Sequence, residues 1–272
     1  MKPESLRISI IQSELHWENI DKNLKMFSEK IASLPDTDLI VLPEMFNTGF
    51  SMNTKALAEH NRGKTMQWMR DRGKEKNCVI TGSIIFAESG NYFNRLIWMR
   101  PDGTFDTYDK RHLFHMSDED KYFSSGKYRL ITELKGWKIC PLICYDLRFP
   151  VWSRNKFSNK DGLKKTCDAS YDLLIYIANW PERRAHPWKS LLVARAIENQ
   201  AFVVGVNRVG EDGHKVYHSG DSAVFNFRGE LLSTVKSGED NNETITINYS
   251  ELNEFRKTFA VGLDADDFRV SS

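Results

Sequence analysis

At 272 residues the chain can bury a large core: folding would hide nearly three-quarters of roughly 46,000 Å² of unfolded surface. A composition 40% hydrophobic and 28% charged excludes disorder, collagen and coiled coil as its main character. Lys plus Arg is 38 and Asp plus Glu is 37, and a net charge of +1 gives no support to a nucleic-acid partner. Four cysteines are too few to staple a chain this long, and Cys140 and Cys144 share one predicted strand. Four residues apart, they would stand about 13 Å from each other, beyond the roughly 7 Å that a disulfide spans. The opening MKPESLRISI lacks the pattern of a signal peptide, and the apolar runs fall far short of the ~20 residues that cross a bilayer. The expectation is a soluble protein of a reducing compartment, the cytoplasm, without a membrane partner.

In chain order, LRISII from Leu6 alternates and is β-branched, which predicts a strand. Leu24, Phe27 and Ile31 predict a helix over 23–33, closed by Pro35. DLIVLP (38–43) contains a fully buried strand, Met66 and Trp68 belong to a helix ending near Gly73, and 78–86 returns as a strand. Residues 93–109 read as a hairpin around Pro101-Asp102-Gly103. Strands over 128–134 and 137–143 pair around Gly136, and 149–157 is helical with Pro150 in the first turn. There follow a strand over 171–178, a helix over 187–200 and a strand over 201–206. Segments 222–227 and 231–235 pair across Arg228-Gly229-Glu230, and a strand over 244–247 precedes a helix from Glu251. The result is an α/β protein with a mixed sheet or two sheets. From Trp137 the second half echoes the first, and no linker divides the chain, so one domain over 1–272 is expected.

Three polar residues stand at or just past predicted strand ends: Glu44 in LIVLPEMFNTGF, Lys110 in YDKRHLF and Cys144 in ICPLICYDLRFP. Loops beyond the carboxyl ends of strands are where α/β sheets gather ligands. A thiol between strand and helix has its thiolate favoured by free N–H groups and the helix dipole. Attack on a carbonyl also needs a base for its proton and a donor for the developing oxyanion. A carboxylate, an ammonium and a thiol supply this with no metal and no cofactor. Taken singly, each has a bland reading as core, cap or surface residue; Cys78 and Cys140 read as core.

LPEMF, YDKRHLF and CYDLRFP, in that order, closely resemble the three blocks of the nitrilase, or carbon-nitrogen hydrolase, superfamily, and the resemblance runs from Leu6 to about Phe259. The stretch from YDKRHLF to SDEDKYF and the later ANWPERRAHPW are similar to the ω-amidase branch, which hydrolyses 2-oxoglutaramate and 2-oxosuccinamate. The resemblance implies a four-layer α-β-β-α sandwich of two mixed sheets and a homodimer formed through an outer helical face. It also implies Cys144 as nucleophile, Glu44 as general base and acid, and Lys110 with the Tyr145 N–H as oxyanion donors. Glu119 matches a second, orienting glutamate, although Asp118 and Asp120 compete for the part. Partial burial is expected to lift Glu44 toward neutrality.

The substrate is then a small-molecule amide whose distal carboxylate asks for a cation. Arg148, Arg183 and Arg184 are the candidates, unless Arg148 pairs with Asp146. Phe46, Phe50 and Trp180 would wall the pocket or simply pack, and Asn179 would donate a hydrogen bond to substrate. Arg195 and Glu198 read as a helical ion pair. His112, His115 and His186 lack the ordered spacing of a metal site, and no dinucleotide or Walker motif is present. Rival readings are an aliphatic amidase, an N-carbamoyl amide hydrolase, a nitrilase, or a binding protein that keeps the fold without turnover.

Overall fold

The computed structural model describes residues 4–158, 168–266 and 268; Cys167 lies outside them. Six strands form one sheet in the order Asn241–Asn248, Ser5–Gln12, Leu39–Val41, Val79–Glu88, Asn91–Met99, Phe105–Asp109. Five form a second, in the order Ala223–Phe225, Phe202–Asn207, Leu173–Ala178, Trp137–Ile143, Thr132–Leu134. Three consecutive strands run parallel at the heart of each sheet, with antiparallel strands at the flanks. The echo between the halves is therefore structural, and both sheets are mixed.

The parallel strands are apolar on both faces because each face is covered. Ile8, Ile10, Leu39, Val41 and Trp98 of the first sheet share one core with Ile139, Ile175 and Val204 of the second. On the opposite side of the first sheet, Ile40, Ile80 and Ile97 pack under Leu24, Phe27, Met66 and Met69 of the helices Ile20–Ser33 and Lys64–Lys76. The helix Ala185–Asn199 lays Trp188, Leu192 and Ala196 on the outer face of the second sheet. This is the α-β-β-α layering expected. Among the described residues no helix is long and apolar enough to cross a membrane.

Four elements depart most from the sequence reading. The Lys64–Lys76 helix passes through Gly73 and stops at Asn77, which adopts a left-handed φ of 48° and returns its N–H to the last turn. A Cβ at Gly73 would lie 3.3 Å from the Cys78 carbonyl, so that glycine serves packing rather than termination. Residues 128–131 make no ladder: Arg129 instead caps the carbonyls of Trp152 and Arg154, and the strand is confined to Thr132–Leu134. The helix expected over 149–157 is only Pro150–Ser153, because Asn155 leaves it to bond Tyr171 and Asn199. Segment 231–235 bridges Phe225 only at Leu231, since the Thr234 and Val235 N–H groups donate to the Glu243 carboxylate.

Candidate active site

Glu44, Lys110, Cys144 and Asn179 all follow the carboxyl ends of strands, the first two from one sheet and the last two from the other. Glu44 sits on a tight loop. Met45 beside it has φ 43°, its N–H held by the Ser83 hydroxyl, and the Asn179 side-chain amide donates to the Glu44 carbonyl. Lys110 closes the Phe105–Asp109 strand, its N–H on the Asn94 carbonyl. Cys144 opens the 3-10 turn Cys144–Arg148 with φ 45°, a left-handed conformation that L-residues adopt at some energetic expense, commonly at functional sites. Glu119 begins a one-turn helix after Asp118, itself at φ 59°.

The side chains converge away from water. Glu44 and Glu119 are 0% exposed, Lys110 1% and Cys144 9%. The Lys110 ammonium lies 2.9 Å from Glu44 Oε1 and 2.9 and 3.1 Å from the two oxygens of Glu119. Burial works against that ammonium, but Glu119, Glu44 and Cys144 outweigh it and hold its pKa above the ordinary range. Glu119 is raised, by burial first and by Glu44 second, against the pull of Lys110. Burial, then Glu44, pushes the Cys144 thiol well up, despite Lys110. A resting thiolate is therefore disfavoured, contrary to the expectation from the helix dipole: a five-residue 3-10 turn in a dry site cannot offset two buried carboxylates. Among the competing acids, Asp118 pairs with Lys121 at 2.9 Å and Asp120 with His115 at 3.0 Å, leaving Glu119 as the one inside.

Glu119 and Glu44 are not equivalent. Glu119 accepts from Lys110 at both oxygens, from Asn94 Nδ2 at 3.1 Å and from the Phe114 N–H at 2.7 Å. All these partners are donors, and a proton on Glu119 would find no acceptor among them. Glu44 Oε1 takes Lys110 and Asn94, while Oε2 takes the Asn179 N–H at 2.8 Å and the carboxylate also faces the Cys144 thiol.

A second network orients the nucleophile. Asp146, fully buried, accepts from the Ile143 N–H at 3.1 Å, the Tyr108 hydroxyl at 2.7 Å and the His112 N–H at 3.1 Å. His112 Nδ1 lies 2.7 Å from the same carboxylate, and its ring stacks on Phe149 at 3.7 Å. Asp146 thus ties the cysteine turn to the chain flanking Lys110 and does not pair with Arg148. Arg195 donates to the Leu147 carbonyl at 2.6 Å and to Glu198 at 3.0 Å, so the helical ion pair also steadies this turn.

A cavity of about 170 Å³ ends on Cys144 and Lys110. Phe50, Tyr145, Arg148, Asn179, Trp180, Arg183 and Arg184 line it. Phe46 does not: it is buried with Phe27 and Trp68 in the helical layer. Asn179 Nδ2 donates one hydrogen to the Glu44 carbonyl and its backbone N–H donates to Glu44 Oε2, so the residue pins the Glu44 loop while lining the cavity. Arg148 lies over Trp180 and Arg184 over Phe114, and none of Arg148, Arg183 and Arg184 has an ion-pair partner among the described residues. Burial, then Arg183 and Arg148, lowers Arg184. The far wall is the hairpin of Val209–Glu211 and Tyr217–Ser219, which the sequence reading did not place. It brings Asp212, His214, Val216 and His218 to the cavity. His218 is neutral, held near 4 by burial and by Arg208, and its Nδ1–H donates to the Val216 carbonyl at 2.9 Å. Asn94 was also missed; its amide beside Arg95, interrupting the apolar residues between Tyr92 and Met99, was its only signal.

A two-sheet sandwich with a buried carboxylate–ammonium–thiol cluster at its strand ends matches the family model for carbon-nitrogen hydrolases, over residues 7–257, and the chain belongs to that family. It is 41% identical over 267 residues to the omega-amidase YafV of Escherichia coli (strain K12), covering 97% of this chain and 98% of that one. It is 32% identical to the 2-oxoglutaramate amidase of Bacillus subtilis (strain 168), over 83% of this chain and 85% of that one. Among solved structures, a CN-hydrolase superfamily protein of Xanthomonas campestris superposes with a TM-score of 0.93 at 40% identity, covering 99% of this chain and 100% of that one. Saccharomyces cerevisiae Nit3, 22% identical, shares the fold with a TM-score of 0.78 and 94% coverage of each chain. The chain is accordingly an amidase of the carbon-nitrogen hydrolase superfamily.

Proposed function

We propose that this amidase hydrolyses the terminal amide of small 2-oxo acid amides, 2-oxoglutaramate and 2-oxosuccinamate, to the acid and ammonia. The observation that carries the reading is the pairing of a small cavity ending on a thiol with three arginines that line it and have no acidic partner among the described residues. Such a site suits a ligand with an amide at one end and a carboxylate at the other. The names of the Escherichia coli and Bacillus subtilis relatives point the same way.

In this mechanism the Cys144 sulfur attacks the amide carbon as Glu44 takes the thiol proton. Transfer on demand suits a thiol that burial keeps protonated at rest. The ammonium of Lys110 has three hydrogens and contacts Glu44 Oε1 and both oxygens of Glu119; in the reaction the longer Glu119 contact, at 3.1 Å, gives way and its hydrogen goes to the carbonyl oxygen. The Tyr145 N–H, in the first turn of its 3-10 segment and so without an intrahelical carbonyl, is the second donor. Glu44 returns the proton to the amide nitrogen, the C–N bond breaks and ammonia leaves a thioester. Water then attacks that thioester, Glu44 accepting its proton and passing it to the departing sulfur. Glu119, saturated with donors, holds Lys110 in place.

Ammonia release from 2-oxoglutaramate, with Cys144→Ala as the blank, tests the reading. Turnover lost in the variant supports both nucleophile and substrate class. No turnover by folded, thiol-intact protein overturns the substrate class and directs the assay to aliphatic amides, carbamoyl compounds and nitriles. The reading extends to a single-domain, cytoplasmic homodimer; exposed Ile197 on the outer helix and Leu231 favour self-association, which sedimentation would test.

A further inference from the structure

We infer that Asn94 is a positioning residue of the reaction, keeping two neighbouring carboxylates ionised together so that Glu44 is free to take the thiol proton. The inference rests on the reading of Glu44 as the base. Asn94 is fully buried in the Asn91–Met99 strand and touches three members of the cluster. Its backbone carbonyl accepts the Lys110 N–H at 3.0 Å. Its Nδ2 donates to Glu44 Oε1 at 2.8 Å and to Glu119 Oε1 at 3.1 Å. A primary amide has two N–H groups, and here each carboxylate receives one.

The orientation comes at the expense of the amide's own bonding, because Asn94 Oδ1 is buried with no partner among the described residues. Turning the amide over would set that oxygen against two carboxylate oxygens, so the side chain is committed to the anions. The groups packed about the carboxylates are Lys110, on both of them, and the Cys144 thiol, which faces Glu44. One ammonium and two carboxylates leave one net negative charge in a dry site, where sharing a proton between the acids would relieve repulsion. Asn94 opposes that sharing with neutral donors. A second cation in its place would also hold both acids ionised, but would strip Glu44 of basicity.

The test is the pH profile of kcat/KM for 2-oxoglutaramate in Asn94→Leu and Asn94→Asp. Leucine is close in size and donates nothing. Its acidic limb is expected to move up by about one to two pH units, giving a ten- to hundredfold loss near pH 6 that recovers toward pH 9. KM should stay within about twofold, since Asn94 does not line the cavity. Aspartate has the same shape but donates only while protonated, so its activity should fall as pH rises. Opposite tilts support the inference. A loss equal at every pH in both variants, tracking a lower Tm, overturns it in favour of a merely structural role. If the leucine variant does not fold, the aspartate profile decides alone, a flat one overturning the inference. Glu44→Gln is the separate control: an acidic limb that survives in it shows that Glu44 is not the base, whatever the Asn94 variants do.

Discussion

Replacing Lys110 by methionine keeps the volume of the side chain and removes the cation contacting Glu44 and Glu119. Three contacts of 2.9 to 3.1 Å disappear, and two carboxylates that are 0% exposed are left without a counter-charge. Breaking one side of a buried ion pair destabilises by about 3–5 kcal/mol, and two stranded anions place Lys110→Met at the upper end. The sign of the pH dependence follows. Stranded carboxylates bind protons more tightly folded than unfolded, so the variant loses stability as pH rises. Urea unfolding at pH 5.5 and 8.5 is expected to show a small gap from wild type at the lower pH and the full gap at the higher. Lys110→Met with Glu119→Gln, which removes one anion, should recover about 1–2 kcal/mol at pH 8.5. Equal stability of Lys110→Met and wild type at both pH values would refute the claim that this ammonium neutralises buried charge.

Three further outcomes follow from contacts already described. Asp146→Ala strands the Ile143 and His112 N–H groups and the Tyr108 hydroxyl; thermal unfolding should reveal a loss of about 3 kcal/mol or more, with kcat falling because the cysteine turn is untied. Gly126→Ala would set a methyl 2.0 Å from the Asp109 carbonyl, beside the Gly126 N–H bond to the Lys110 carbonyl. The end of that strand must move, and kcat should fall by about tenfold to a hundredfold in steady-state assays. Alanine at whichever of Arg148, Arg183 and Arg184 meets the carboxylate should raise KM for 2-oxoglutaramate about ten- to hundredfold while sparing kcat/KM for neutral propionamide; equal effects on both substrates would refute carboxylate recognition.

The strands and the placement of Glu44, Lys110 and Cys144 at their ends were legible because both follow from local rules, whereas Glu119 came only with the family resemblance. Apolar runs of β-branched residues need sheets, and a carboxylate, ammonium or thiol ending such a run needs a reason to be there. What stayed hidden depends on tertiary placement. Phe46 and Phe50 are four residues apart in one loop, yet one faces the helical layer and the other the cavity. Asp146 reads as an ordinary acid until the Tyr108 hydroxyl and the His112 N–H, from a distant segment, join the Ile143 N–H on it. His218 and its hairpin follow a turn-rich stretch whose role as a wall appears only once the second sheet is built. Helix lengths at Gly73 and Asn155 were misjudged because a left-handed cap and side-chain bonds outweighed propensity.

The acceptor and the attacking sulfur ride on different sheets, so no covalent geometry within either sheet sets the gap between them. That gap is set by the thickness of the apolar layer where Ile8, Val41 and Trp98 meet Ile139, Ile175 and Val204. Because protein interiors are close-packed and resist compression, this layer acts as a spacer gauge for the chemistry. A methylene added or removed deep between the sheets would reset the reach of proton transfer without altering any residue that takes part in it.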